Sequence, residues 1–345
     1  MIRAVPFFLW CALQALCRTG RAGRRISRDN FRLFSCYGCF LTGTKREERH
    51  SNNLRVSLSE TGCIAEGSMA EYDFAVVGGD KRTACMIPFF MKRGYRVIGY
   101  KIYHRTDIDI EADGYADSLK QAVESAPVII GGIPMEKKGI VNLRELSRHI
   151  RRYHKIFGGI IPEAFRQECS ERGIDCYDFM KDEGIAVFNA VATAEGAILE
   201  ALLHKQTNIH HSRTLVLGYG RCGKVLSEKL KGLSAHVTVC GNNAVELAVA
   251  EAFGMDVLPL KELEGKIDEF EYIYNTIPAL VLEGEVLKKV KKDALIIDIA
   301  SGRGGLDYSE AQERQLNALH CLGLPGKYAG EISAKRLSEY VISKL

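Results

Sequence analysis

From Met69 onward the apolar residues fall into short runs that close on glycine. Residues 74–79 read FAVVGG, helix-compatible spacing follows over 83–92, and a second apolar run, YRVIGY, occupies 95–100, which predicts strand, helix, strand. The runs PVIIGGIP at 127–134 and KIFGGIIP at 155–162 repeat the pattern, and a helix predicted over 163–172 leads to another run at 174–178. Strands without polar alternation, spaced by helices, predict a parallel sheet covered on both faces, in a first domain over 69–190. Residues 193–204 place Ala197, Ile198, Ala201 and Leu202 on one helical face, with Thr193 as N-cap and Gly196 in the first turn, so a linking helix is predicted over 191–205. A second αβ domain follows over 206–328, and 329–345 is predicted as a closing helix.

The sharpest motif lies at the start of the second domain. Residues 214–224 read TLVLGYGRCGK, a GxGxxG fingerprint that ends an apolar strand, opens a helix predicted to about residue 231, and precedes a second strand over 235–240. In that setting Gly218 makes the tight turn, Gly220 lets the backbone approach a pyrophosphate, and Gly223 lets helix and strand pack closely. The first-turn amides, with Tyr219, Arg221 and Cys222 in the same turn, then face the anion. Where a carboxylate would meet the adenosine ribose the chain has Asn242 and Asn243, so nothing repels a 2′-phosphate and NADP is favoured over NAD. Ligands of open α/β sheets gather at the carboxyl ends of strands, so Asn275, Thr276, Pro278, Asp298 and Ser301 are expected to line the nicotinamide half of the cleft. The fold class expected is α/β: two Rossmann-like domains, each a mostly parallel sheet flanked by helices, joined by the linking helix.

Charge and cysteine use narrow the setting. Of 47 basic and 43 acidic residues, 11 and 5 precede Met69, which leaves 36 and 38, a balance with no footprint for nucleic acid or an anionic membrane. Cys85, Cys169, Cys176, Cys222, Cys240 and Cys321 stand singly, as free thiols in a reducing, cytoplasmic compartment do. Residues 4–17 are apolar but too short to span a bilayer, and arginines follow them instead of a cleavage site. The leader over 1–68 has no sustained period, and the native chain is expected to begin near Met69, the leader being a mis-assigned start or disordered. Cys36 and Cys39 have metal-ligand spacing, but no second pair follows, and no metal is expected.

The order of motifs over 72–345 resembles the family of the dipicolinate synthase A-subunit. The stretches that carry the resemblance are VGGDKR at 77–82, TAEG at 193–196, GYGRCG at 218–223, NTIP at 275–278, DIAS at 298–301, Gly304-Gly305 with Asp307, and GLPG at 323–326. The resemblance implies oxidation of dihydrodipicolinate, or of its hydrated precursor, to dipicolinate with reduction of NADP, beside a flavoprotein-like B-subunit of the same synthase, in the mother-cell cytosol during sporulation. The chain departs from the family's pattern at Asn242 and Asn243, where Arg and Ser are common, at Gly330, where Pro is common, and in its leader.

Aromatising such a dicarboxylate needs hydride transfer, loss of a ring proton and anchors for two carboxylates. Lys81 and Arg82, in the loop after the first strand, are the expected anchors, Arg82 above all because its fork can hold a carboxylate bidentately. Thr193 with the first-turn amides of its helix is a candidate for the second carboxylate, and Glu195 for the base. His210 and His211 precede the cofactor strand, on the wrong end of the sheet, whereas His320 near a strand end stays open. After Met69 no Ser/His/Asp set or metal-ligand cluster speaks for a hydrolase or metalloenzyme. Two other readings are compatible with the residues: another two-domain NAD(P)-dependent dehydrogenase of a hydroxy or amino acid, and a non-catalytic dinucleotide-binding protein supporting the B-subunit. A homo-oligomer is compatible with either.

Overall fold

The computed structural model describes residues 70–103 and 110–345. The leader, its Cys36 and Cys39, and the expected start at Met69 lie outside the described residues.

The first sheet contains β1 (Phe74–Val77), β2 (Val97–Tyr100), β3 (Gly114–Tyr115), β4 (Val128–Gly131), β5 (Lys155–Gly158) and β6 (Asp175–Asp178), all parallel, in the order β3-β2-β1-β4-β5-β6. Its helices are α1 (Lys81–Met91), α2 (Leu119–Glu124), α3 (Leu143–His149) and α4 (Glu163–Glu171). Successive residues of β1 serve opposite faces: Ala75 and Val77 enter one apolar cluster, Phe74 and Val76 the other, which is why the strand shows no polar alternation. Strand order reverses between β1 and β4, and there the glycine endings meet. A Cβ on Gly132 would lie 2.5 Å from Gly79 Cα, so the two Gly-Gly loops touch backbone to backbone.

One helix, α5 (Glu183–His204), joins this sheet to the next. It begins at Glu183, with Asp182 as N-cap accepting from Ile185 N, and not near Thr193 as expected. Thr193 sits in mid-helix, where its hydroxyl donates back to Asn189 O at 2.8 Å, so it caps nothing. Ile185 enters the aromatic cluster of the first lobe, while Ala194, Ala197 and Ala201 enter the core of the second. By length and composition α5 passes for a membrane span, but 61% of its apolar stretch is buried inside the molecule.

The second sheet repeats the first: β7 (Arg213–Leu217), β8 (His236–Gly241), β9 (Asp256–Pro259), β10 (Tyr272–Asn275), β11 (Leu295–Asp298) and β12 (Asn317–His320) are parallel in the order β12-β11-β10-β7-β8-β9. Both lobes thus have the doubly wound Rossmann-like topology. The helices α6 (Arg221–Gly232), α7 (Ala244–Ala252), α8 (Gly284–Lys289), α9 (Tyr308–Glu313) and α10 (Leu324–Tyr328) belong to this lobe. The last helix, α11 (Gly330–Ile342), returns to the first lobe, where Ala334, Leu337 and Val341 share a cluster with Phe74, Phe90 and Phe157. The return is close: a Cβ on Gly330 would lie 2.6 Å from Lys81 Cγ, so a side chain there would require Lys81 to shift.

Candidate functional site

The fingerprint turn has the geometry its sequence requires. Gly218 follows β7 at φ +89°, and a Cβ there would lie 2.6 Å from Thr276 Oγ1. A Cβ on Gly223, in the first turn of α6, would lie 2.1 Å from Gly218 O, so helix and strand meet at a distance only glycine permits. Gly220 is different: it is the N-cap of α6, and nothing lies within 4 Å of where its Cβ would be. The 12-residue α6 therefore starts with no side-chain cap and an open space before its amides. Those amides need a partner, and an anion is the natural one.

The neighbours of this turn are mostly occupied. Tyr219 is buried in the second core. Arg221 is exposed and reaches the first lobe, 3.3 Å from Met180 O and 3.7 Å from a Glu183 carboxylate oxygen. Cys222 is half-buried, and burial pushes its thiol up, away from thiolate chemistry. At the end of β8 Asn242 is exposed, whereas Asn243 caps α7, accepting from Val245 N at 3.0 Å and Glu246 N at 3.3 Å. Only the amide NH2 of Asn243 is left for a ligand.

Two residues expected to line the nicotinamide half do not. Asn275 and Asp298 are fully buried and bonded to each other, Nδ2 to Oδ1 at 2.9 Å. Asn275 also closes the 275–277 turn through Ile277 O and Ile277 N. Asp298 accepts further from Ala300 N, Gly305 N and Tyr308 OH. They are the scaffold of the rim, and sequence position alone placed them at strand ends without revealing that they pair. Thr276 is half-buried and donates to Leu217 O, while Pro278 and Ser301 are exposed at the ends of β10 and β11.

The anchors on the first lobe need correction. Arg82 lies in the first turn of α1, not in a loop, and is 3% exposed. Its guanidinium forks onto the Asp80 carboxylate, Nη2 to Oδ2 at 2.7 Å and Nε to Oδ1 at 3.0 Å, and also donates to Asn189 Oδ1 and Ile133 O. Asp80 has taken the place expected for a substrate carboxylate, and Asp80 is itself the N-cap of α1. Lys81 is half-buried beside Gly330. Glu195 is on the exposed face of α5, paired with Lys229 of α6 at 2.7 Å, so it stands at no helix start. With Thr193 in mid-helix, no first-turn amides accompany either residue.

His210 and His211 precede β7 and gather with His236 at the amino end of the sheet, away from the fingerprint. A cavity of about 440 Å³ also opens at that end, among Arg213, Asp256, Lys266 and Glu269, and includes no group expected to act. His320 is at the carboxyl end of β12, with Nε2 3.3 Å from Ala300 O and its ring 5.2 Å from that of Tyr308.

Comparison with known proteins agrees with this architecture. Residues 73–180 match the family model for the N-terminal domain of the dipicolinate synthase A-subunit. The dipicolinate synthase A-subunit of Bacillus subtilis (strain 168) is 32% identical over 188 residues, 53% of this chain, and the match spans 63% of that protein's length. The crystal structure of the same subunit from Bacillus halodurans superposes with a TM-score of 0.69 at 23% identity, covering 80% of this chain and 99% of that one. That of the dipicolinate synthase A chain from Bacillus subtilis gives 0.64 at 24%, covering 81% and 98%. The likeness in sequence to the dipicolinate synthase A-subunit is thus carried by the N-terminal lobe, over residues 73–180, and spans less than two thirds of the relative's length, while the fold is shared across both lobes.

Proposed function

We propose that this protein is a dinucleotide-dependent oxidoreductase that converts dihydrodipicolinate, or its hydrated precursor, to dipicolinate with reduction of NADP, beside a B-subunit in the mother-cell cytosol of a sporulating cell. The observation that carries the reading is the uncapped start of α6: Gly220 fronts open space, while Gly218 and Gly223 are packed as tightly as glycine allows. The residues present fit a dinucleotide. The first-turn amides of α6 would take the pyrophosphate, Asn242 and the Asn243 amide would meet the adenosine ribose, and Thr276, Pro278 and Ser301 would flank the nicotinamide. When bound, the nicotinamide supplies a hydride acceptor; the chain's own part is to bind, orient and exclude water. NADP is preferred because no carboxylate at 241–243 repels a 2′-phosphate.

Gly220→Asp should cost roughly 100-fold or more in dinucleotide affinity while the melting temperature holds, since it puts a side chain and a negative charge where the pyrophosphate sits. Titration of both proteins with NADP and NAD checks this, and wild type should bind NADP more tightly. Equal affinities in the variant would remove the dinucleotide reading. A non-catalytic role supporting the B-subunit is the second reading, favoured by the enclosure of Arg82. It is separated from the first by assaying NADP-dependent dipicolinate formation with the chain alone and then with that partner added.

A further inference from the structure

With Arg82 enclosed by Asp80, the dicarboxylate needs another cation, and we infer that Arg303 holds one carboxylate of the substrate; this rests on the oxidoreductase reading above. Arg303 lies in the loop SGRGG over 301–305 that follows β11. The loop is pinned at both ends. Asp298 accepts from Ala300 N at 2.9 Å before it and from Gly305 N at 2.7 Å after it, and Tyr308 OH at 2.8 Å and Asn275 Nδ2 at 2.9 Å complete four donors to one buried carboxylate. Two glycines let the backbone fold onto this centre. Gly304 has φ +79°, and its Cβ would lie 2.4 Å from Asp298 Oδ2; a Cβ on Gly305 would lie 2.4 Å from Asn275 Nδ2 and 2.6 Å from Ile277 O.

The loop is thereby drawn over the end of β10, against the 275–277 turn whose Thr276 approaches Gly218 at the reversal of strand order. In a doubly wound sheet that side carries the nicotinamide half of the dinucleotide. Between the pinned ends Ser301, Gly302 and Arg303 are exposed. Arg303 has no hydrogen-bond or ion-pair partner among the described residues. The other arginine beside the turn, Arg221, is held toward Met180 and Glu183. A free guanidinium on a fixed backbone offers a carboxylate two parallel donors with little ordering cost. The buried Asn275–Asp298–Tyr308 network is what fixes that backbone.

The test uses the full chain saturated with NADPH, titrated by calorimetry with pyridine-2,6-dicarboxylate and with pyridine-2-carboxylate. Wild type should prefer the diacid. Arg303→Ala should weaken diacid binding roughly 30-fold or more and abolish the preference over the monoacid, with NADPH affinity and melting temperature unchanged. Arg303→Lys should recover only part of the loss. Wild-type diacid affinity in Arg303→Ala would make Arg303 a surface charge and overturn the inference while the oxidoreductase reading stands. If wild type itself binds neither acid, the dicarboxylate reading fails first and takes this inference with it.

Discussion

Arg82 shows how a side chain suited to one role is committed to another. Its guanidinium holds together the N-cap of α1 through Asp80, the loop after β4 through Ile133 O, and α5 through Asn189. Arg82→Ala would leave Asp80, Asn189 and a carbonyl without their partner in a site where Arg82 is 3% exposed. The expected cost is about 3 kcal/mol, which in a protein of this size lowers the melting temperature on the order of 4 to 5 °C. Thermal melting checks it. Wild-type melting together with lost dicarboxylate binding would instead mean that Arg82 leaves Asp80 to serve the ligand. The contrast with the fingerprint explains what could be read in advance. Gly218, Gly220 and Gly223 are set by a turn of six residues, so spacing revealed them. Asp80 stands only two positions before Arg82, but the contacts that shut the guanidinium in come from Ile133 and Asn189, 51 and 107 positions away, and Asn275 is held by Asp298, 23 away; no local pattern carries those contacts.

The contact between α5 and α10 is also ionic at its centre. Glu200, 5% exposed, accepts from Lys327 Nζ at 2.6 Å and Tyr328 OH at 2.9 Å, just beyond the crossing where a Cβ on Gly196 would lie 2.9 Å from Leu324 Cβ. Burial raises the Glu200 carboxyl, but the hydrogen bonds from Lys327 and Tyr328 and the charges of Lys327 and His204 outweigh it, so it lies below its ordinary value. A carboxyl depressed on folding stabilises the native state above the unfolded value, about 4.3, and that contribution is lost as pH falls through the folded value. Lys327, raised chiefly by its bond to Glu200, loses its contribution only when pH climbs past about 10.4. Glu200→Gln should therefore cost on the order of 1–2 kcal/mol at pH 7, limited because Lys327 is half exposed, and should flatten the decline in stability below about pH 4.5. Urea melts from pH 7 to 3 read both, and parallel curves for variant and wild type would refute the clamp. The buried strands on either side, though only four or five residues long, were legible because burial on both faces gives unbroken apolar runs. The short helices α2 and α3 were not, since six or seven residues do not establish a period. The start of α5 was missed because Val187, Asn189 and Val191 interrupt its helical signal, and packing against both cores overrides their propensity.

The two lobes are built as one mechanical unit despite their separate sheets. α5 runs from the aromatic cluster of the first lobe into the alanine-lined core of the second, and α11 carries the chain back so that Leu337 and Val341 close the cluster around Phe74 and Phe90. The first core is thus incomplete until the second lobe has been traversed. A ligand that binds only the second lobe should then stabilise both. NADP at about 100 times its dissociation constant adds about 2.7 kcal/mol to whatever unfolds with its site. The expected result is a single calorimetric transition that moves upward with NADP as a whole, with slower amide exchange in β1 and β4 as well as in β7 and β10. Leu337→Ala, which empties part of the shared cluster, should lower that same transition by about 2–4 kcal/mol and leave it single. Two transitions, with NADP moving one and Leu337→Ala the other, would mean that the lobes unfold independently and that α11 is only a cover for the first.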